Sequence, residues 1–123
     1  MVVSNSLSCS SRISRPRGAA SGRDVYVMKW ILHDWDDDRA AAILARAADA
    51  ARPGGRLLLV EMLIEPGRAN GPARQLDLAM LVLTGGRERT ADEFRALLDA
   101  AGFDLRAVHR TASPMFVLEA IRR

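Results

Sequence analysis

Cysteine is almost absent from the sequence, since only Cys9 is present, and one cysteine cannot form an internal disulfide. A reducing compartment is the default for such a chain, and we expect a cytoplasmic protein. The sequence also lacks any apolar run near the ~20 residues that a membrane-spanning helix needs, so we expect no membrane partner. A length of 123 residues leaves room for one domain and excludes a two-domain cofactor enzyme.

Acidic residues are missing from positions 1–23, which hold four arginines and seven of the eight serines. Residues 24–123 carry 14 basic and 15 acidic residues, so the net charge of +3 comes from the first segment alone. Nucleic-acid binding would require a basic stripe interleaved with aromatic residues, and no such stripe is present. We therefore expect no nucleic-acid partner.

The first 23 residues are predicted to be a disordered tail, because a segment rich in arginine and serine buries too little apolar surface to offset its ordering entropy. Two interpretations of this tail remain. An Arg- and Ser-rich, acid-free start is typical of an organellar transit peptide. The alternative, which we favour, is a spurious or truncated gene start.

Residues 24–123 alternate short apolar runs with amphipathic helical patterns. The predicted order is strand 25–32, a helix from 36–38 to 53–55, strand 56–64, helix 76–83, helix 90–101, and strands 103–112 and 115–121. Alternating strands and helices predict parallel pairing with helices on both faces, whereas the Ser113-Pro114 turn predicts an antiparallel final pair. The sequence therefore predicts about half of an open α/β sheet.

Local signals mark several helix ends. Three aspartates at 36–38 suit the N-terminus of the first helix, and capping explains them better than a divalent cation does. Thr90 and Glu93 have the spacing of a capping box, and Gly102 suits a left-handed C-cap.

Ionisable residues follow the predicted strands at the sheet edge where α/β proteins bind ligands. His33 comes directly after the first strand, Glu61 lies near the end of the second, and Glu88 lies in a loop that can fold back to the same edge. Histidine suits a general base near neutral pH, and a carboxylate on its far nitrogen would fix the tautomer. The alternative is that His33 is a loop or core residue without catalytic function. His109, which alternates with apolar neighbours, is interpreted as structural.

Several segments together resemble one enzyme family. The segments KWILHDWDDDRAAAIL, PGGRLLLVEMLI, QLDLAMLVLTGGRERTADEF and LLDAAGF occur here in family order and with nearly family spacing. They resemble the S-adenosylmethionine-dependent O-methyltransferases of the plant caffeate/flavonoid and bacterial polyketide-tailoring type. The resemblance covers residues 24–123 and implies a partial catalytic domain. The implied fold is α/β, the C-terminal half of a Rossmann-like class I methyltransferase sheet with parallel strands and an antiparallel terminal hairpin.

The resemblance assigns catalytic roles to three residues. His33 matches the base that takes the proton from the hydroxyl of a small aromatic acceptor, and Glu61 and Glu88 match the two acids that bracket and orient it. The implied reaction is direct transfer of the methyl group of S-adenosylmethionine, and it requires no metal.

The resemblance also implies binding residues. Lys29 matches a cofactor contact, and Trp35 is expected near the same pocket. Asp34 matches a residue that positions the acceptor, and Met80 falls in a helix that lines the acceptor site.

Two family features are missing from the sequence. It contains no G-x-G-x-x-G cofactor loop and no N-terminal helical dimerisation domain, although full-length members are expected to be homodimers. We therefore expect the isolated chain to bind S-adenosylmethionine weakly or not at all. A non-catalytic remnant or interaction module that keeps the fold is the alternative function.

Overall fold

The computed structural model describes residues 2–4, 25–67 and 71–123, and the structural statements that follow refer to these residues. Five strands form one sheet in the order β1-β2-β3-β5-β4, in which β1, β2 and β3 are parallel and β5 is antiparallel to both of its neighbours. In chain order the elements are β1 (Val2–Ser4), β2 (Val25–Lys29), a 3-10 turn (Leu32–Asp34), α1 (Asp37–Ala50), β3 (Arg56–Met62), α2 (Pro72–Leu83), α3 (Ala91–Ala100), β4 (Phe103–Arg110) and β5 (Met115–Arg122). The predicted order of strands and helices from residue 25 onward is confirmed.

The predicted helix caps are confirmed as well. Asp36 is the N-cap of α1, and its carboxylate accepts a hydrogen bond from the Arg39 amide. Thr90 and Glu93 form the reciprocal capping box of α3. Gly102 follows α3 with a φ of +86°, a conformation that costs glycine little.

Two element boundaries differ from the prediction. Strand β2 ends at Lys29 instead of continuing to residue 32, because Trp30 has a φ of +54° and the chain then enters the 3-10 turn. Helix α2 starts at Pro72, four residues before the predicted start. Proline suits the first turn of a helix, because the amide that it lacks would have no partner there. None of the described helices is long and apolar enough to cross a membrane.

The buried core lies on one face of the sheet. Leu57 and Leu59 of β3 are fully buried in a cluster with Leu44 of α1 and Leu98 of α3. Residues that alternate with them on the opposite face, such as Val60, are only half-buried. The prediction that helices cover both faces is therefore wrong for the described residues. Helix α2 also leaves four large apolar side chains exposed, namely Leu78, Leu81, Val82 and Leu83.

Part of the predicted tail belongs to the sheet. Strand β1 pairs in parallel with β2, with Val2 opposite Val27 and Ser4 opposite Lys29. The prediction of disorder is therefore wrong for Val2–Ser4, whose two valines favour extended structure. The rest of the predicted tail lies outside the described residues.

Candidate active site

His33 lies in the 3-10 turn that follows β2, at the carboxyl end of the strand, and it is only 4% exposed. Its Nδ1 lies 2.9 Å from Oε1 of Glu88, whose side chain is also buried. Because a carboxylate accepts, this contact selects the tautomer in which Nδ1–H donates and Nε2 keeps its lone pair. The geometry thus leaves one basic nitrogen with a defined direction.

The electrostatic surroundings make the imidazole of His33 more basic. Burial lowers the pKa of His33, but the hydrogen bond with Glu88 and the negative charges of Glu61, Glu88 and Asp34 outweigh burial, so its pKa is raised above the usual 6.5. Asp34 lies on the side of the basic nitrogen, with Oδ1 3.4 Å from Nε2. A proton on Nε2 would therefore lie close to the Asp34 carboxylate, which stabilises the positive charge.

Glu61 is fully buried on β3, and it contacts the backbone of the His33 turn instead of the imidazole. Its Oε1 accepts hydrogen bonds from the amides of Ile31 (3.1 Å) and Leu32 (3.0 Å). Burial raises the pKa of Glu61 to about 7, despite these two hydrogen bonds and the nearby His33. Among the described residues its Oε2 has no hydrogen-bond partner. Glu61 therefore contacts the start of the turn that carries His33, whereas Glu88 contacts the ring itself.

The loop that carries Glu88 fits tightly against the His33 turn. A Cβ atom at Gly86 would lie 2.1 Å from the carbonyl oxygen of His33, a distance that no side chain tolerates. The Glu88 amide donates to Oδ1 of Asp77 on α2 at 2.8 Å. Glycine at position 86 thus permits the close approach, and Asp77 ties the loop to α2.

Arg89 is a site residue that the sequence analysis missed. Its side chain is fully buried and donates to the carbonyl oxygens of Leu32 and Trp35 at 2.9 and 2.8 Å. It also donates to Oδ1 of Asp37 at the start of α1 at 2.9 Å. It also donates to the carbonyl oxygen of Arg87 at 3.3 Å. Its only sequence signal is its position next to Glu88, because Leu32, Trp35 and Asp37 lie more than 50 residues away along the chain.

Trp30, which the sequence analysis also did not select, lies beside the imidazole. The two ring centroids are 5.3 Å apart, and the indole is 38% exposed. Its indole nitrogen donates to the sulfur of Met115 on β5. Its left-handed backbone is uncommon for a large residue, and such conformations cluster at functional sites.

Among the described residues, Lys29, Trp35 and Met80 form no hydrogen bond, ion pair or ring contact with His33. Lys29 is exposed at the end of β2, and Trp35 is half-buried with the Arg39 guanidinium 5.5 Å from its ring centroid. Met80 is half-buried on α2, with the Thr84 hydroxyl 4.0 Å from its sulfur. Lys29 and Trp35 alone, without a glycine-rich loop among the described residues, do not form a pocket for a nucleoside. The described residues by themselves therefore do not fit S-adenosylmethionine.

The arrangement defines a class of protein. A buried histidine, with a buried carboxylate on Nδ1 and the Asp34 carboxylate near Nε2, lies at the carboxyl edge of a mixed α/β sheet, where such folds bind ligands. A histidine held in this way is chemically able to take up a proton.

Comparison with known proteins identifies the family. Residues 18–104, well over half of the chain, match the O-methyltransferase domain, and the chain belongs to this family. It is 46% identical to a phenazine O-methyltransferase of Lysobacter antibioticus over 79% of this chain and 28% of that protein. It is 45% identical to the acetylserotonin O-methyltransferase of Mus musculus over 80% of this chain and 26% of that protein. The chain thus spans less than a third of the length of these relatives.

Solved structures confirm the predicted fold. Human N-acetylserotonin methyltransferase, solved with S-adenosylmethionine, is 32% identical, with a TM-score of 0.75 over 80% of this chain and 29% of that one. An O-methyltransferase from neocarzinostatin biosynthesis was solved with S-adenosyl-L-homocysteine and 1,4-dihydroxy-2-naphthoic acid. It is 38% identical, with a TM-score of 0.74 over 85% of this chain and 30% of that one. The matched part is the predicted partial class I methyltransferase sheet.

Proposed function

We propose that this chain carries the acid–base centre of an S-adenosylmethionine-dependent O-methyltransferase, with His33 as the general base. The observation that carries this proposal is the 2.9 Å contact between Nδ1 of His33 and Oε1 of Glu88, with both side chains buried. This contact fixes the tautomer, so that Nε2 is the atom that accepts the proton.

His33 acts by removing the proton of a weakly acidic hydroxyl. A phenol has a pKa of about 10 and is a poor nucleophile until it is deprotonated. When the proton moves to Nε2, the resulting imidazolium lies between the carboxylates of Glu88 and Asp34, which stabilise its charge. Glu61 contributes indirectly, because it holds the amides at the start of the turn that presents His33.

We propose a small aromatic hydroxyl compound as the acceptor. Supporting this class, one related structure holds a dihydroxynaphthoic acid, and the names of the relatives include a phenazine and an acetylserotonin O-methyltransferase. Asp34 is proposed to position the acceptor, because its carboxylate lies beside the basic nitrogen. Met80 is proposed to contact the acceptor ring, since a thioether adapts to flat surfaces. We propose that the protein acts in the cytoplasm, without a nucleic-acid or membrane partner.

S-adenosylmethionine supplies an electrophilic methyl group when it is bound. Of the residues described, only Lys29 and Trp35 are proposed to contact it. We therefore propose that residues 24–123 are a partial catalytic domain and that the donor site and the homodimer interface depend on parts of a full-length family member beyond the residues described.

A chimeric enzyme tests the proposal. The segment of the Lysobacter antibioticus phenazine O-methyltransferase that aligns with this chain is replaced by residues 25–123, and methylation is measured by mass spectrometry. We expect an active chimera in which His33→Gln lowers kcat/KM about 10²- to 10⁴-fold, the contribution of a positioned general base. Glu88→Gln lowers it less, because Nε2 remains in place.

His109→Gln is the matched control, because it removes the other histidine, which is exposed on β4. We expect its kcat/KM to equal that of the parent chimera. A His33→Gln chimera as active as its parent would refute the proposal, and so would an equal loss in the His109 control. A fully inactive, folded parent chimera favours the non-catalytic alternative.

A further inference from the structure

Arg89 is the one fully buried guanidinium among the described residues, and the proposed acid–base steps do not use it. Burying a cation costs free energy unless its donors are paired, so the partners of the Arg89 guanidinium need to be identified. Its only anionic partner is Asp37, whose side chain is 54% exposed. Its other side-chain partners are backbone carbonyl oxygens.

Two of these carbonyls flank the proposed base. Nη1 donates to Leu32, the residue before His33, and Nη2 donates to Trp35, the residue after Asp34. The guanidinium therefore spans the turn from both ends. Only a planar fork with donors on several nitrogens can hold both carbonyls and the Asp37 carboxylate at once.

The backbone of Arg89 is anchored independently of its side chain. Its carbonyl accepts a hydrogen bond from the Ile64 amide at 3.0 Å, and it forms a parallel bridge with Leu63 just after β3. Glu88 is the preceding residue in the chain. The side chain of Arg89 thus connects the His33 turn to the same short segment that carries the partner of the imidazole.

We propose that Arg89 is a positioning residue that sets the distance between His33 and Glu88. The guanidinium of Arg89 holds the His33 turn against the loop that carries Glu88. Because Glu88 directly precedes Arg89 in the chain, this also fixes the position of the Glu88 carboxylate relative to Nδ1 of His33. The consequence for catalysis rests on the proposed function, but the positioning itself does not. A role limited to charge or to general stability would leave the His33–Glu88 contact intact in a folded Arg89→Lys variant.

The full 123-residue chain provides the first test. The pKa of His33 is measured from its ring signals by NMR in the wild type and in Arg89→Lys, which keeps the positive charge but loses the fork. Since the contact with Glu88 raises the pKa of His33, we expect Arg89→Lys to lower that pKa. Arg87→Lys is the matched control, because Arg87 lies in the same loop and pairs with Asp37 and Glu93. We expect no change there.

A double-mutant cycle separates positioning from a general disturbance. Glu88→Gln removes the partner outright, so Arg89→Lys should change the pKa of His33 little further when it is added to Glu88→Gln. A folded Arg89→Lys variant with the wild-type pKa would overturn the proposal. Full additivity of the two changes would overturn it too.

A milder pair of variants decides the case if Arg89→Lys does not fold. Asp37→Asn releases one end of the guanidinium, whereas Asp38→Asn removes the same charge one residue further along α1. We expect a lower His33 pKa in Asp37→Asn than in Asp38→Asn, and equal values would count against the proposal. In the chimera, Arg89→Lys should shift the pH profile of kcat/KM and Arg87→Lys should not. Failure of the chimera alone would implicate the proposed function, since the NMR result needs no methyl transfer.

Discussion

Replacing Glu61 by glutamine should change how the stability of this protein depends on pH. The side chain is fully buried, and its Oε1 accepts hydrogen bonds from Ile31 and Leu32. Glutamine has nearly the same shape and keeps an oxygen acceptor for both amides, but it cannot ionise. The substitution therefore removes a buried charge while it conserves the local geometry.

The expected magnitude follows from the raised pKa of Glu61. The pKa rises from 4.5 to about 7 in the folded protein, so the folded state binds this proton more tightly than the unfolded state. Stability from this group is present at low pH and is lost as the pH rises from about 4.5 through 7. A pKa difference of about 2.5 corresponds to roughly 3 kcal/mol. The raised pKa of His33 acts in the same direction, because the stability that it contributes below pH 6.5 is lost as the pH rises through its folded value.

Urea unfolding followed by tryptophan fluorescence, repeated between pH 4.5 and 8.5, measures this effect. Relative to the wild type, Glu61→Gln should gain roughly 3 kcal/mol of unfolding free energy across this range. Glu65→Gln is the control for the loss of one carboxylate near the end of β3, and its curve should run parallel to the wild type. A constant difference between Glu61→Gln and the wild type at every pH would refute the assignment of a buried, easily protonated Glu61.

Three further predictions concern the close approach of the site loop, the core and the cofactor. Gly86→Ala should displace the His33 turn and shift the ring signals of His33 in NMR spectra, because the added Cβ would lie 2.1 Å from the His33 carbonyl oxygen. The control Gly71→Ala should leave these signals unchanged, because its Cβ would have no atom within 4 Å. Leu59→Ala should cost about 2–5 kcal/mol in urea unfolding because the side chain is fully buried, whereas Leu81→Ala, 65% exposed, should change stability by less than about 0.5 kcal/mol. Calorimetric titration of the isolated chain with S-adenosylmethionine should show weak binding or none, and micromolar affinity would contradict the absence of a complete cofactor pocket.

Local patterns were sufficient to predict most of the secondary structure. The capping box at Thr90 and the glycine after α3 are decided by residues within one helical turn, so the sequence carries the whole signal. Strand limits were harder to predict. Strand β2 was predicted to reach residue 32, but the chain turns at Trp30, because the apolar residues that follow belong to the core instead of to the strand.

Three residues of the candidate site, His33, Glu61 and Glu88, were selected from the sequence, but their contacts were only partly predicted. His33 and Glu88 were expected at the same sheet edge, and the structure places them in hydrogen-bond contact. Glu61 was expected as an acid that helps to orient His33, and the structure shows it accepting hydrogen bonds from the amides of Ile31 and Leu32. Residue type and spacing predict that a buried carboxylate needs partners, but they do not say which donors it finds.

Taken alone, the sequence determined the order of the strands and helices from residue 25 onward, the helix caps and the sheet edge at which the ionisable residues lie. These features depend on periodicity and on residues close together along the chain. Only the tertiary structure decided that Arg89 spans the His33 turn, that Val2–Ser4 extends the sheet beside β2, and that one sheet face carries the buried core. These features depend on contacts between residues that are more than 20 positions apart, and the direction of such contacts is fixed only when the chain folds.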